Sequence, residues 1–223
     1  MERRVRRMNL KKLVTAAVCT MLMAAVAFTA GCGGEKKSDK KVLKVGMECA
    51  YAPYNWSQTK ADGGAVKIAG SNEYAYGYDV MMAKKLADSM GADLEIHKIE
   101  WDGLAPAVVS GKIDAAIAGM SITSKRKETV DFTKPYYYAT VVALVKKDSE
   151  QAKAQSVADL KGSVATSQLN TIWYDQIDQV PDVKKLPAID TVPGMIVALT
   201  SGKCNLIVTD IPTAKAAAFA NPE

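Results

Sequence analysis

The residues best suited to chemistry follow a short apolar run, 113–118, that is typical of a buried strand in a parallel sheet. Ser121 and Thr123 come next, where a following helix would begin, and Arg126 lies just inside that helix. A helix N-terminus has unpaired N–H groups that suit an anion, and a guanidinium can hold a carboxylate at two points. The stretch therefore predicts binding of a small anionic ligand. The alternative is that Ser121 and Thr123 only cap the helix and that Arg126 is solvated.

A second copy of the pattern favours the binding interpretation. The triplet Ser-Gly-Lys occurs at 110–112 and again at 201–203, each time between an apolar helical stretch and an apolar strand. Alignment of the triplets places Asp210 opposite Gly119, at the end of the equivalent strand. Open α/β sheets bind ligands at the carboxyl ends of their strands. With Arg126 at one edge and Asp210 at the other, the two units would complement an α-amino acid, which carries a carboxylate and an ammonium on one carbon.

The elements that must position these residues alternate between strand and helix. Residues 42–47 have strand character, a helix is predicted to open at Asp79 and to stop at Gly91, and residues 94–99 form the next strand. Asp102 is predicted to cap the helix that follows. This βαβ rhythm predicts an α/β fold with a mostly parallel sheet.

The overall charge of +5 comes from the start of the chain. Six of the 29 basic residues and one of the 24 acidic residues lie among the first twelve. The remainder is neutral, so the composition gives no reason to expect a nucleic-acid partner.

An uncharged stretch, 13–30, follows the basic start, as in a secretory signal. It leads into Thr-Ala-Gly-Cys32, which is similar to the lipobox of bacterial lipoproteins. We predict a lipoprotein signal peptide over 1–31, lipidation of Cys32, and a flexible tether over 32–41. The exported protein would then be anchored by lipid to the outer face of the cell membrane. A simple cleaved signal and a retained membrane span are the alternatives.

The cysteines beyond the leader, Cys49 and Cys204, fall in different predicted units, so we expect two separate thiols although export would permit a disulfide. His97 is the only histidine, and no residues have the spacing of a metal site. We therefore expect no metal, no cofactor and no histidine-based catalytic triad.

Several short motifs are spread from residue 42 to the end of the chain. They are Val45-Gly46, Tyr51-Ala-Pro-Tyr54, Gly77-Tyr-Asp79, Trp101-Asp-Gly-Leu104, Ser110-Gly-Lys-Ile-Asp114, Gly119-Met-Ser-Ile-Thr123, Lys125-Arg126, Asp131-Phe132, Asp159-Leu-Lys-Gly162 and Asp210. Together they resemble the amino-acid-binding group of the bacterial extracellular solute-binding proteins, which deliver polar amino acids to ATP-driven importers. The resemblance implies a two-lobe α/β architecture of the periplasmic-binding-protein-like type II, with lobe 1 over 42–139 and lobe 2 over 140–223.

The resemblance assigns the ends of a bound amino acid to particular groups. Arg126 would hold the carboxylate, helped by the backbone N–H groups of Ser121 and Thr171. Asp210 would pair with the ammonium, helped by the Ser121 hydroxyl and the Gly119 carbonyl. Hydrogen bonds to charged groups contribute about 1.5–3 kcal/mol each.

The resemblance also implies which residues contact the side chain of the ligand. Tyr51 directly follows the first strand and is placed to face a cleft, where it and Trp101 would sandwich the side chain. Glu48 would contact the end of that side chain, with a solvated acid at a strand end as the alternative. Tyr54 is predicted to roof a core. Lys, Arg or Gln are the ligands that this set favours, because aromatic rings can hold a guanidinium by cation–π contact.

Three departures from the family pattern stand in the chain. Asn205 replaces the usual Asp after the second Ser-Gly-Lys, and Gln168-Leu-Asn-Thr171 lacks the glycine that generally precedes the threonine pair. Family members continue through a crossover that returns to lobe 1. The resemblance therefore implies that lobe 2, and the return to lobe 1, are incomplete in a chain that ends at Glu223.

The resemblance implies a binding protein that performs no chemistry, with the permease and ATPase subunits of an importer as its partners. The rival hypothesis is a fold-related enzyme, a dehydratase or a cell-wall lyase, for which Glu48 is the obvious acid or base. A third hypothesis is the ligand-sensing domain of a membrane receptor.

Overall fold

The computed structural model describes residues 40–222. The signal peptide, Cys32 and most of the tether over 32–41 lie outside the described residues, so those statements stay predictions. Between residues 40 and 222, no helix is both long and apolar enough to cross a membrane. The same residues contain no group of three or more His, Cys, Asp or Glu side chains that could hold a metal ion.

The described residues form eleven strands and six α-helices, with five short 3-10 turns between them. In chain order the strands and helices are β1 (Val42–Met47), β2 (Ala50–Tyr51), β3 (Asn55–Gln58), β4 (Val66–Lys67), β5 (Tyr74–Tyr76), α1 (Tyr78–Met90), β6 (Asp93–Lys98), α2 (Leu104–Val109), β7 (Ala115–Ala116), α3 (Ser124–Lys127), β8 (Val141–Leu144), β9 (Val164–Thr166), α4 (Ile172–Gln176), β10 (Lys184–Lys185), α5 (Val192–Thr200), β11 (Leu206–Asp210) and α6 (Ile211–Ala220).

Two of the three sheets are built on parallel strands, which confirms the predicted α/β class. The first sheet has the order β6-β1-β7, and all of its strands are parallel. The second has the order β10-β9-β11-β8, in which only β8 runs antiparallel. A third sheet, β2-β3-β5-β4, is antiparallel and follows β1 in the chain.

The first sheet is covered by the helix predicted from Asp79. Val80, Ala83 and Ala87 of α1 are buried in one core with the side chains of β1 and β6. This three-and-four spacing is that of an amphipathic helix whose apolar face packs on a sheet. Gly91 ends the helix with φ of 62°, the left-handed conformation that favours glycine, as the sequence predicted.

The two Ser-Gly-Lys triplets end their helices in the same way. Gly111 and Gly202 both have positive φ, 71° and 78°. Two residues after each triplet's lysine, a side-chain oxygen accepts the backbone N–H of the neighbouring strand: Asp114 from Lys44, and Asn205 from Val164, both at 2.8 Å. Asn205 can replace the usual acid because an amide oxygen accepts this bond as a carboxylate does.

Two local predictions differ from the structure. Asp102 does not cap a helix: α2 is preceded by a 3-10 turn, and its N-cap is Gly103, whose backbone is already helical with φ of −84°. A capping side chain needs an extended backbone at its own residue, which the turn removes. The run 113–118 contributes only Ala115–Ala116 to the sheet, although Ile113 and Ala118 are buried.

Candidate functional site

The carboxyl ends of the two parallel sheets meet across a set of polar side chains. Glu48 directly follows β1, and Gln168 is the second residue after β9. Asp210 is the last residue of β11. Gln168 hydrogen-bonds to Glu48, so a strand end of the first sheet contacts one of the second. Tyr51, in β2 of the third sheet, donates to Asp210. This is the edge at which open α/β sheets bind ligands.

Arg126 lies at this edge and reaches the loops of both sheets. Its Nη1 donates to the Ser121 carbonyl at 2.7 Å, and its Nη2 donates to the Asn170 carbonyl at 2.8 Å. The guanidinium carbon lies 5.4 Å from the centroid of the Trp101 ring, within cation–π range. Burial lowers the pKa of Arg126 from its usual value. A guanidinium in this setting is positioned rather than freely solvated.

The helix that carries Arg126 is a single turn, Ser124–Lys127. Thr123 caps it, with its Oγ1 accepting the Arg126 N–H at 3.1 Å. Ser121 contributes its carbonyl to Arg126 rather than a cap. One turn carries little macrodipole, so attraction of an anion here depends mainly on the Arg126 charge.

Six of the eight predicted binding residues line one small cavity. Its volume is about 10 Å³, room for roughly one water molecule, so entry of an amino acid requires its walls to separate. Tyr51 and Trp101 are both in its wall. The lining residues are Tyr51, Trp101, Gly119, Ser121, Arg126, Gln168, Thr171, Ile172 and Trp173. The two predicted residues outside this lining are Glu48 and Asp210.

Asp210 is fully buried behind Tyr51. Its Oδ2 accepts the Tyr51 hydroxyl at 2.6 Å and the Thr213 hydroxyl at 3.0 Å. Its Oδ1 accepts the Thr213 N–H at 3.0 Å, as the N-cap of α6, and the Tyr54 hydroxyl at 3.3 Å. Tyr51 therefore connects the cavity to the carboxylate that was predicted to hold an ammonium.

Glu48 is 3 % exposed and interacts with a side chain that sequence reasoning did not assign to the site. Gln168 Nε2 lies 3.1 and 3.0 Å from the two carboxylate oxygens of Glu48 and 3.0 Å from the Asp190 carbonyl. Burial raises the pKa of Glu48 to about 7; the Gln168 hydrogen bond opposes that rise, and the charge of Glu100 adds to it. A carboxyl group of this kind changes charge near neutral pH.

A buried network supports the backbone on both sides of the site. Asp79 is fully buried, and its two carboxylate oxygens accept Asn55 Nδ2 at 2.7 Å and the Tyr136 hydroxyl at 2.8 Å. Asn55 accepts the Cys49 N–H at 2.7 Å, and the Tyr136 oxygen accepts the Gly119 N–H at 2.9 Å. One carboxylate therefore positions the residue after Glu48 and the residue at the exit of β7.

Sequence reasoning missed four contributors to the site. Gln168 and Tyr54 had a usable signal, because both lie in quoted motifs that follow strand ends. The Asn170 carbonyl accepts from Arg126, and its Nδ2 donates to Asp102. These contacts form only where the two sheets meet, so the sequence alone does not reveal them. Tyr136 lies in an irregular segment with no pattern to place it.

The relatives found by comparison with known proteins include binding proteins for amino acids. The chain is 31% identical over 181 residues to the "Probable histidine-binding protein" of Campylobacter jejuni, which covers 81% of this chain and 64% of that relative. The chain thus spans less than two thirds of that protein's length.

Solved structures of the same kind resemble the described fold. The arginine-bound form of truncated ArgBP from T. maritima has a TM-score of 0.68 at 30% identity, covering 81% of this chain and 79% of that one. An ancestral arginine-binding protein bound to glutamine has a TM-score of 0.70 at 32% identity, covering 82% and 75%. These neighbours are two-lobe periplasmic amino-acid-binding proteins, which agrees with the predicted fold class.

A family model assigns the chain directly. Residues 43–185, which run from the second residue of β1 to the end of β10 and include most of the site, match the model described as bacterial extracellular solute-binding proteins, family 3. The chain belongs to the bacterial extracellular solute-binding proteins of family 3.

Proposed function

We propose that this protein is the amino-acid-binding component of an ATP-driven importer and that it captures a polar or basic L-amino acid between two lobes. The observation that carries the proposal is the position of Arg126, which lies over Trp101 in the wall of a cavity that Tyr51 also lines. The Tyr51 hydroxyl in turn donates to the buried Asp210. A cation and an anion thus flank one site, as the two charges of an amino acid require.

In this proposal the ligand replaces existing contacts when the cleft closes around it. The ligand carboxylate accepts hydrogen bonds from the Arg126 guanidinium, with the Ser121 and Thr171 N–H groups beside it. The ligand ammonium pairs with the Asp210 carboxylate and also donates to the Ser121 hydroxyl and the Gly119 carbonyl. Tyr51 and Trp101 hold the side chain between their rings. Glu48 contacts its far end.

The proposal extends to the wider arrangement that the resemblance to the family implies. Lobe 1 comprises 42–139 and lobe 2 begins at 140, with hinge closure between them. Cys32 carries lipid and holds the protein on the outer face of the cell membrane. The permease and ATPase subunits of an importer receive the ligand. The protein itself performs no chemistry.

A basic side chain fits the surroundings of Glu48 best. A cavity of about 230 Å³ beside the site is lined by Trp101, Leu169 and the acidic residues Glu100, Asp102 and Asp190. Four carboxyl groups around one end of the cleft favour a guanidinium or an ammonium over the neutral amide of glutamine. Thermal unfolding with each of the twenty amino acids tests this: L-arginine and L-lysine should raise Tm most, and no shift with any basic or amide amino acid contradicts it.

Calorimetric titration of L-arginine into site variants tests the assignment of the charges. Arg126→Ala and Asp210→Asn should each weaken binding by 2 kcal/mol or more, about 30-fold, because each leaves a ligand charge unpaired in a buried site. The matched control is Lys127→Ala, an exposed cation on the same helical turn, which should bind as the unmodified protein does. Near-native affinity in Arg126→Ala or Asp210→Asn rejects the assignment.

A further inference from the structure

We propose that the Tyr51 hydroxyl is an internal competitor for the Asp210 carboxylate and that it lowers the affinity with which the protein holds a ligand's ammonium group. The inference rests on the proposed function. It goes beyond the role of the Tyr51 ring as a wall of the site, because it assigns a separate and opposite role to the oxygen atom.

The Asp210 carboxylate has no acceptor position to spare. It takes four donors: the hydroxyls of Tyr51, Tyr54 and Thr213, and the Thr213 N–H. A carboxylate offers about four lone-pair positions, and this one is fully buried, so an incoming ammonium must displace a donor.

Tyr51 is the donor that a ligand meets. Both Thr213 donors, its hydroxyl and its N–H, belong to the cap of α6, and the helix itself holds them beside Asp210. The Tyr54 bond is long, at 3.3 Å. Tyr51, the last residue of β2, makes the shortest bond, at 2.6 Å, and lines the same cavity as Arg126.

The phenol stays a donor throughout the physiological range. Burial first, and the Asp210 charge second, raise the pKa of Tyr51 well above its usual value, so the hydroxyl keeps its proton. The ring is held independently of the oxygen. It stacks on Tyr54 with centroids 4.8 Å apart, and it packs so closely on Gly119 that a Cβ there would lie 2.9 Å from Tyr51 Cε1.

Removal of the oxygen alone therefore separates competition from packing. Tyr51→Phe keeps the ring and frees one acceptor position on Asp210. A hydrogen bond to a charged group contributes at least about 1.5 kcal/mol, so L-arginine should bind Tyr51→Phe about tenfold more tightly than the unmodified protein. Tyr54→Phe removes the longer bond from the same carboxylate and should tighten binding less. Tyr76→Phe, a partly buried tyrosine that packs on Trp56, is the matched control and should change nothing.

The experiment is calorimetric titration of these proteins with L-arginine and with 5-guanidinopentanoic acid, which is arginine without its amino group. Competition acts only through the ammonium, so Tyr51→Phe should tighten binding of L-arginine and leave binding of the deaminated acid unchanged. A general change of packing would shift both ligands together, which contradicts the proposal.

The remaining outcomes are equally decisive. If the unmodified protein binds L-arginine and Tyr51→Phe binds it equally or more weakly, competition is wrong while the proposed function stands. If Tyr51→Phe does not fold, the hydroxyl is a structural bond and the proposal is wrong. If none of the folded proteins binds any amino acid, the proposed function fails and this proposal fails with it.

Discussion

The protonation of Glu48 leads to a stability prediction that needs no ligand. Its folded-state pKa is raised from 4.5 to about 7, chiefly by burial. Because the folded protein holds this proton more tightly than the unfolded chain does, the stability that Glu48 contributes is fully present below about pH 4.5. It is lost as the pH rises through about 7.

The magnitude follows from the size of the shift. One pKa unit corresponds to about 1.4 kcal/mol, so a rise from 4.5 to about 7 gives an upper bound of about 3 kcal/mol. Most of this difference, about 2–3 kcal/mol, falls between pH 5 and pH 8. Glu48 is 3 % exposed, so solvent screens little of this difference.

The assay is urea unfolding at pH 5 and pH 8 for the unmodified protein and for Glu48→Gln. The glutamine variant has no proton to lose at this position. The free energy of unfolding of the unmodified protein should therefore fall by about 2–3 kcal/mol more than that of the variant. Asp79, whose pKa burial raises to about 6, titrates in both proteins and cancels from the comparison. Equal pH dependence in the two proteins would refute the reasoning.

Three further predictions concern the backbone around the site. Tyr136→Phe leaves the Gly119 N–H and one oxygen of Asp79 without their partner, so urea unfolding should show a loss of about 1–3 kcal/mol; an unchanged midpoint contradicts the network. Gly77→Ala should lower Tm far more than Gly70→Ala: both glycines have positive φ, but a Cβ at Gly77 would lie 2.4 Å from the Tyr54 carbonyl oxygen and one at Gly70 meets nothing within 4 Å. Equal losses of Tm would mean that the positive φ alone, and not the contact with Tyr54, sets the cost of the substitution. Asn205→Ala should accelerate amide exchange at Val164, whereas Asn205→Asp should preserve protection, and equal exchange in both would contradict the shared role of Asn205 and Asp114.

Much of the local structure could be predicted because its causes are local. β1 spans Val42–Met47, the residues predicted, since its apolar pattern is that of a strand buried at the centre of a parallel sheet. Gly91 ends α1 for a reason contained in its own backbone freedom. The Ser-Gly-Lys repeat predicted two similar units, and its glycines, Gly111 and Gly202, both have positive φ where the preceding helices end.

The pairing of side chains across the two sheets could not be predicted in this way. Tyr51 and Asp210 are 159 residues apart, and Glu48 and Gln168 are 120 apart, so no periodicity relates them. Sequence patterns indicate which residues reach a strand end, but the neighbour that each one meets depends on how the two sheets come together. Asp102 illustrates this: aspartate is a residue type that suits a helix cap, yet the Asp102 carboxylate accepts from Asn170 instead.

The central claim is that Arg126 and Asp210 hold the two charges of one amino acid. The most direct measurement is a crystal structure of the protein with L-arginine. The account predicts the ligand carboxylate on the Arg126 guanidinium, the ammonium on Asp210, and the side chain between Tyr51 and Trp101. An arginine bound away from these residues, or bound with its ammonium far from Asp210, would contradict it.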